Sequence, residues 1–200
     1  MKRLLLIVLL LVTLGGTARA ETMKSTLGYS VSVPSNWLIL TREEVQKNPD
    51  IFENIDAVGK MDKTLLKNIM TMIKDGKADF IFRTDYVSSG FSDNINIIKQ
   101  VQKTPSTDDE LQELCSILPE EFQKYFGRKV LIYSCEFRVV SGLKSVYTEF
   151  DGVVPGTRSM QYCIPRTKSV ALIVTATADT DTFSEVATDF AAMIKSLKNN

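Results

Sequence analysis

Apolar and polar positions alternate with a period of two through most of the chain's second half. Four runs carry the pattern: Arg128–Val140, Lys144–Val154, Thr157–Arg166 and Ser169–Asp179. The breaks between them are short: Ser141-Gly142-Leu143, Pro155-Gly156 and Thr167-Lys168. A parallel return needs a dozen or more connecting residues, so these runs predict an antiparallel meander in chain order. That sheet is the expected floor for the helices.

The first half changes period more often. Tyr29–Val33 alternates and stops at Pro34-Ser35-Asn36, with Trp37 returning to the apolar body. Thr41-x-x-Glu44 has the spacing of a capping box and predicts a short helix. Asn48-Pro49 predicts a second helix start, carried by Ile51, Phe52, Ile55 and Val58 and stopped at Gly59. Asp62 can cap a third through Lys74, with Leu65, Leu66, Ile69, Met70 and Ile73 as its apolar stripe. Ala78–Arg83 and Ile95–Ile98 read as strands around a polar loop, Thr84–Gly90. Thr107 with Glu110 gives another capping box, before a helix carrying Leu111, Leu114, Cys115, Leu118 and Phe122. Pro119 inside that stripe predicts a kink or break near Leu118. Thr182-x-x-Glu185 predicts a third box, before an amphipathic helix through Phe183, Val186, Phe190, Met193, Ile194 and Leu197. Strands first and last, with helices between and after, give an α+β class: one antiparallel sheet flanked by helices.

The front of the chain changes the picture of where this domain works. Met1-Lys2-Arg3 is basic, Leu4–Leu14 is nearly all apolar, and Ala18-Arg19-Ala20 has small residues at the signal-peptidase positions. This predicts a signal peptide over 1–20, cleaved after Ala20, and a single domain over 21–200. A retained anchor is the rival, but the apolar run is about half of the roughly 20 residues a bilayer needs. No integral membrane segment is expected after cleavage. The leader takes Lys2, Arg3 and Arg19 with it, leaving 21 basic against 24 acidic residues, a net charge of −3. That balance argues against nucleic acid, whose binding rests on a basic face.

The chain has no histidine. The commonest general base, the commonest zinc ligand and the usual neutral-pH switch are therefore absent, and a histidine-based serine or cysteine triad cannot be built. No catalytic residue, cofactor or metal site is assigned, and the chain is not expected to be an enzyme. Asp93, Asp179 and Asp181 could meet around a hard cation, but the glycine and bidentate glutamate of a calcium loop are missing, and helix capping accounts for Asp179 and Asp181.

The three cysteines, Cys115, Cys135 and Cys163, read most simply as small buried apolar side chains. Cys135 shares its alternation with Leu131, Tyr133, Phe137 and Val139, a core-like set. Export permits a disulfide. In a meander the strands of Cys135 and Cys163 are two spacings apart, ~9.6 Å against a ~7 Å limit, so a disulfide would join Cys115 to Cys135 or to Cys163. For contact with a partner, the loop around Tyr86 and the text Phe91-Ser92-Asp93-Asn94, followed by Asn96, are the candidates. Turn bonding by Asp93 and Asn94 is the structural alternative.

The stretch Gly28–Trp37, the block Gly90–Ile97, Gln161-Tyr162 and Val174–Ala178 before the terminal helix together resemble the PsbP-like superfamily. That group includes a photosystem II extrinsic protein, a nuclear Ran-release factor and DcrB-type bacterial envelope proteins. The resemblance spans about Gly28 to Leu197 and implies an α/β sandwich without catalysis that docks on other proteins. The chain lacks the lipid-bearing cysteine of DcrB-type members and the histidine-containing surfaces of the plastid ones, so no partner residue carries over. The expectation is a non-catalytic accessory protein of the bacterial envelope, periplasmic or else secreted, binding an envelope protein. The alternative is a binder of a small apolar ligand or lipid, for which Met70 and Met72 would suit an adaptable wall.

Overall fold

The computed structural model describes residues 20–51, 63–86 and 91–200. Among these, the strands are β1 (Glu21–Ser25), β2 (Tyr29–Val33), β3 (Trp37–Leu40), β4 (Ala78–Arg83), β5 (Asn94–Val101), β6 (Ile132–Val140), β7 (Leu143–Asp151), β8 (Thr157–Thr167), β9 (Val170–Asp179) and β10 (Lys198–Asn199). The helices are α1 (Arg42–Lys47), α2 (Lys63–Lys74), α3 (Asp108–Phe126) and α4 (Phe183–Ser196). Seven strands form one sheet in the order β3-β4-β5-β9-β8-β7-β6, and β1-β2-β10 form a second. Every pairing is antiparallel. The meander β6 to β9 occupies consecutive places, and β5 then pairs with β9. Its first turn has two residues, Ser141 at φ 50° and Gly142 at φ 78°, closed by Val140 opposite Leu143. Both central residues of such a turn need positive φ, which glycine adopts without steric cost.

Alternation along these strands divides the core. One face sends Ile81, Ile95, Ile97, Tyr147, Met160, Tyr162, Ile164, Leu172 and Val174 against Tyr29, Val31 and Val33 of the small sheet and Val186, Phe190, Met193 and Ile194 of α4. On the other face α2 buries Ile69 and Ile73 against Leu40 and Phe82. There, α3 lays Leu111 and Leu114 over Val146, Cys163, Ala171 and Ile173. No residue of α3 is itself buried.

Several expectations need correction. Pro119 neither breaks nor shortens α3, which runs from Asp108 to Phe126. Pro119 is exposed, so the carbonyl it leaves unpaired can turn to water. Thr182 begins α4 without a capping box. Its hydroxyl donates back to the Asp179 carbonyl at 3.2 Å, and Glu185 is held by Arg83. The core-like set around Cys135 is split by an irregularity between Ile132 and Ser134. Tyr133 turns to stack under Arg158, while Leu131, Tyr133 and Val139 are exposed. The sequence reading also missed β1, β10 and the whole second sheet. The helix proposed from Asn48-Pro49 shows only a turn over 49–51, and its remainder, Phe52 to Gly59, lies outside the described residues, as do the Asp62 cap and the leader up to residue 19.

The two sheets meet at a buried carboxylate. Asp79 of β4 is 2% exposed and accepts from the Tyr29 hydroxyl at 2.6 Å and from the Ser25 hydroxyl. Burial pushes its carboxyl above the ordinary value, and these hydrogen bonds offset only part of that. The folded chain thus holds a proton where the unfolded chain has lost it. Stability from this group falls as pH rises from the ordinary carboxylate value, about 3.9, through the raised one. Asp79→Asn should remove that slope. Urea unfolding across pH should show the wild type losing ground to the variant as pH rises through this window; parallel curves would exclude the assignment.

Candidate functional site at one end of the sheet

Strand register gathers the predicted contact residues at one end of the large sheet. Trp37 lies opposite Arg83, Phe82 opposite Asn94, Asn94 opposite Thr177, and Thr157 opposite Asp179. Arg83 is the hub, with its side chain only 12% exposed. Its Nε donates to Asp85 at 2.7 Å and its Nη2 to Glu185 at 2.8 Å. Its Nη1 lies 3.7 Å from Asp93 Oδ2, and the guanidinium sits 5.8 Å from the Tyr86 ring centroid. The backbone is equally tied: Arg83 N donates to the Asp93 carbonyl at 2.9 Å, and Thr84 donates through both N and Oγ1 to the Asn36 carbonyl, each at 2.9 Å. Asn36 Nδ2 in turn donates to Asp85 at 3.2 Å.

The predicted residues divide between surface and framework. Tyr86, Phe91 and Asn94 are half-buried. Asp93 is fully buried and so is not a contact residue. Its Oδ1 accepts from Asp179 N at 2.9 Å, and burial pushes its pKa up. It sat in the contact set because its tripeptide neighbours are polar, but β9 closes over it. Val87 to Gly90 lie outside the described residues. Asp179 accepts from Asp181 N at 3.4 Å, the turn-bonding role, and among the described residues no three acidic or thiol side chains converge as metal ligands. Exposed at this end are the carboxylates of Asp85, Asp181 and Glu185. The Tyr86 hydroxyl is held above its ordinary pKa first by partial burial and then by Asp179, Asp181 and Asp93, with Arg83 opposing. Arg83 holds the Asp85 carboxyl below the usual range.

A second feature escaped the sequence reading. On the helix-α2 and helix-α3 side of the sheet, Asn94, Asn96, Thr175, Thr177, Ser159 and Gln161 stand in register on β5, β9 and β8. Ser159 and Thr177 hydroxyls are 2.8 Å apart, and Thr175 donates to Gln161 at 3.4 Å. The signal was present: each strand sets a polar residue at every second position, beside buried Ile95, Ala176 and Met160. This polar floor runs up to the acidic end at Asn94.

Cys115 is joined to Cys135, with Cα atoms 5.9 Å apart, and Cys163 is free and buried. Gln102 Nε2 lies 3.0 Å from the Cys163 sulfur, and burial raises its pKa, the opposite of an activated nucleophile. Two open grooves are present among the described residues. One of about 400 Å³ lies between β1, β3 and α1; the other, of about 570 Å³, is bordered by Lys103, Lys144 and Lys168. Met70 is packed in the Leu40–Phe82 cluster and does not line either groove. Among the described residues no helix is long and apolar enough to cross a membrane.

No family model matches the chain, and no curated protein matches it by sequence. Solved structures do. Cyanobacterial PsbP (CyanoP) from Synechocystis superposes with a TM-score of 0.56 at 12% identity, covering 95% of this chain and 99% of that one. LpqN of Mycobacterium tuberculosis, involved in cell envelope biogenesis, gives 0.51 at 12% identity over 90% of each. The Saccharomyces cerevisiae Ran-binding protein Mog1p gives 0.50 at 8% identity over 92% of this chain and 96% of that one. At such identities the likeness speaks for architecture: this chain has the PsbP-like fold, an antiparallel α+β sandwich.

Proposed function

We propose that the chain is an exported, non-catalytic accessory protein of the bacterial cell envelope, periplasmic in location, which docks a protein partner through the acidic end of its large sheet. The observation that carries the docking site is the group of exposed carboxylates at the Tyr86 end: Asp85 and Glu185 share Arg83, whose guanidinium lies 5.8 Å from the Tyr86 ring centroid, and Asp181 is exposed. A surface of this sign fits a partner presenting lysine and arginine. Export is supported by the leader text, by exposed Ala20 just ahead of β1, and by a disulfide, which persists in oxidising compartments. The non-catalytic reading rests on the absence of histidine and on a buried thiol with a raised pKa. That Mog1p binds Ran and LpqN is involved in envelope biogenesis is consistent with a fold that serves by contact.

Asp181 is exposed, and among the described residues its carboxylate holds no hydrogen bond or ion pair, so it can be reversed without disturbing the frame. Asp181→Lys should weaken partner capture at least ~10-fold, and the wild-type complex should loosen as salt rises. Capture that is indifferent to both would remove the acidic end from the account.

A further inference from the structure

Strand β6 closes one edge of the large sheet, and among the described residues no strand pairs with its outer side. It is nine residues long, against four for β3 at the opposite edge. Long open edges are usually guarded by lysine, proline, a bulge or a covering segment, and the irregularity of β6 lies at its Ile132 end, leaving residues 135–139 regular. Here the edge carries Val139, 75% exposed. We infer that β6 is the contact surface for a second copy of this chain, paired antiparallel about a twofold axis at Phe137.

The hairpin decides which backbone groups are available. Val140 and Leu143 close a two-residue turn, so Val140 exchanges its hydrogen bonds with β7. Alternation then turns the backbone of Arg138 and Glu136 toward β7, and that of Val139, Phe137 and Cys135 outward. A twofold pairing that sets outward residues opposite outward residues can be centred on any residue of the strand, and charge selects among these centres. Centring on Glu136 or Arg138 opposes like charges. Centring on Cys135 or Val139 sets both charged residues against neutral ones. Centring on Phe137 places Glu136 opposite Arg138 of the second copy, twice, in pairs of the non-hydrogen-bonded kind where side chains come closest.

Glu136 and Arg138 already pair within one copy at 2.6 Å, so the dimer joins two pairs into one alternating cluster. The same register sets Val139 opposite Cys135 of the second copy, beside that copy's α3. The exposed Val139 side chain is thereby covered on each side. The acidic sheet end, built from β3, β4, β5 and β9, stays open.

Sedimentation of the purified, oxidised protein tests this. The wild type should be dimeric at micromolar concentration. Glu136→Arg and Arg138→Glu should each weaken self-association at least ~10-fold, and an equimolar mixture of the two should restore the dimer, because each supplies the charge the other lacks. Val139→Lys should weaken it similarly. Arg138 lies 3.4 Å over the Tyr147 ring, so circular dichroism must show that Arg138→Glu stays folded; if it does not, Glu136→Arg and Val139→Lys decide the matter. A wild type monomeric up to hundreds of micromolar overturns the inference. So does a dimer that no variant weakens, or two folded charge variants whose mixture stays monomeric.

Discussion

Arg83→Met is expected to cost about 3 kcal/mol of folding stability, because it leaves a fully buried carboxylate without its cation. Asp93 is 0% exposed, and neither its Oδ2 nor Arg83 Nη1 has another hydrogen-bond partner. Among the described residues this is the only ion pair of Asp93, whose other oxygen accepts from Asp179 N. The remaining partners add little: Asp85 and Glu185 side chains are 48% and 66% exposed, where ion pairs are screened by water. The lower end of the range for breaking buried pairs applies because 3.7 Å is charge contact without a hydrogen bond. The loss should also depend on pH. Without Arg83 the folded pKa of Asp93 rises further, so the variant takes up a proton on folding at higher pH than the wild type does. Its deficit should shrink as pH falls through that interval. Urea unfolding at neutral and acid pH measures both effects; a deficit under about 0.5 kcal/mol at neutral pH would show that Asp93 does not depend on this guanidinium.

Removing the disulfide by Cys115→Ser with Cys135→Ser should cost about 3 kcal/mol, the chain-entropy value for a loop of this size. The bonded residues are 20 apart. The position matters as much as the loop. Helix α3 buries no residue of its own and is held by partly buried Leu111 and Leu114, by Phe122 against Phe150 at 4.6 Å between centroids, and by this bond. Its start is well made, with the Thr107 capping box and Glu110 held down to about 2 by Lys103 and Ser106. The helix should therefore keep its local structure and lose its dock. Hydrogen exchange should show α3 opening before β8 and β9 in the double variant. Equal protection of α3 in both proteins would mean that the apolar contacts alone suffice.

How much of this was legible differs by element, for physical reasons. The meander could be read because its turns are too short for any other connection, and α4 because one face of it is continuously apolar. β1 could not be read: Glu21-Thr22-Met23-Lys24-Ser25 has no strand composition and is a strand because β2 offers it an edge, with Met23 and Ser25 buried there. The alternation from Leu131 to Val139 does not hold as one face because one irregularity after Ile132 sends Tyr133 to the opposite face, and period-two reasoning carries no information about where the period slips. Asp93 was expected at a surface and is buried. Its register puts it at the sheet end, but its burial comes from β9 and α4, more than 80 residues away in sequence. The polar floor of Asn96, Thr175 and Gln161 is the polar half of the alternation whose apolar half marks Ile95, Ala176 and Met160, and alternation alone does not say that the three strands stand in register.

The docking account meets its most direct test at position 86. A photo-crosslinking amino acid placed there in the full chain, in the producing cell, should capture one protein through a lysine- or arginine-rich surface, and Asp181→Lys in the same chain should abolish that product. The same probe at exposed Glu113 on α3 should not capture it. Capture of the partner from position 113 and none from position 86 would contradict the account.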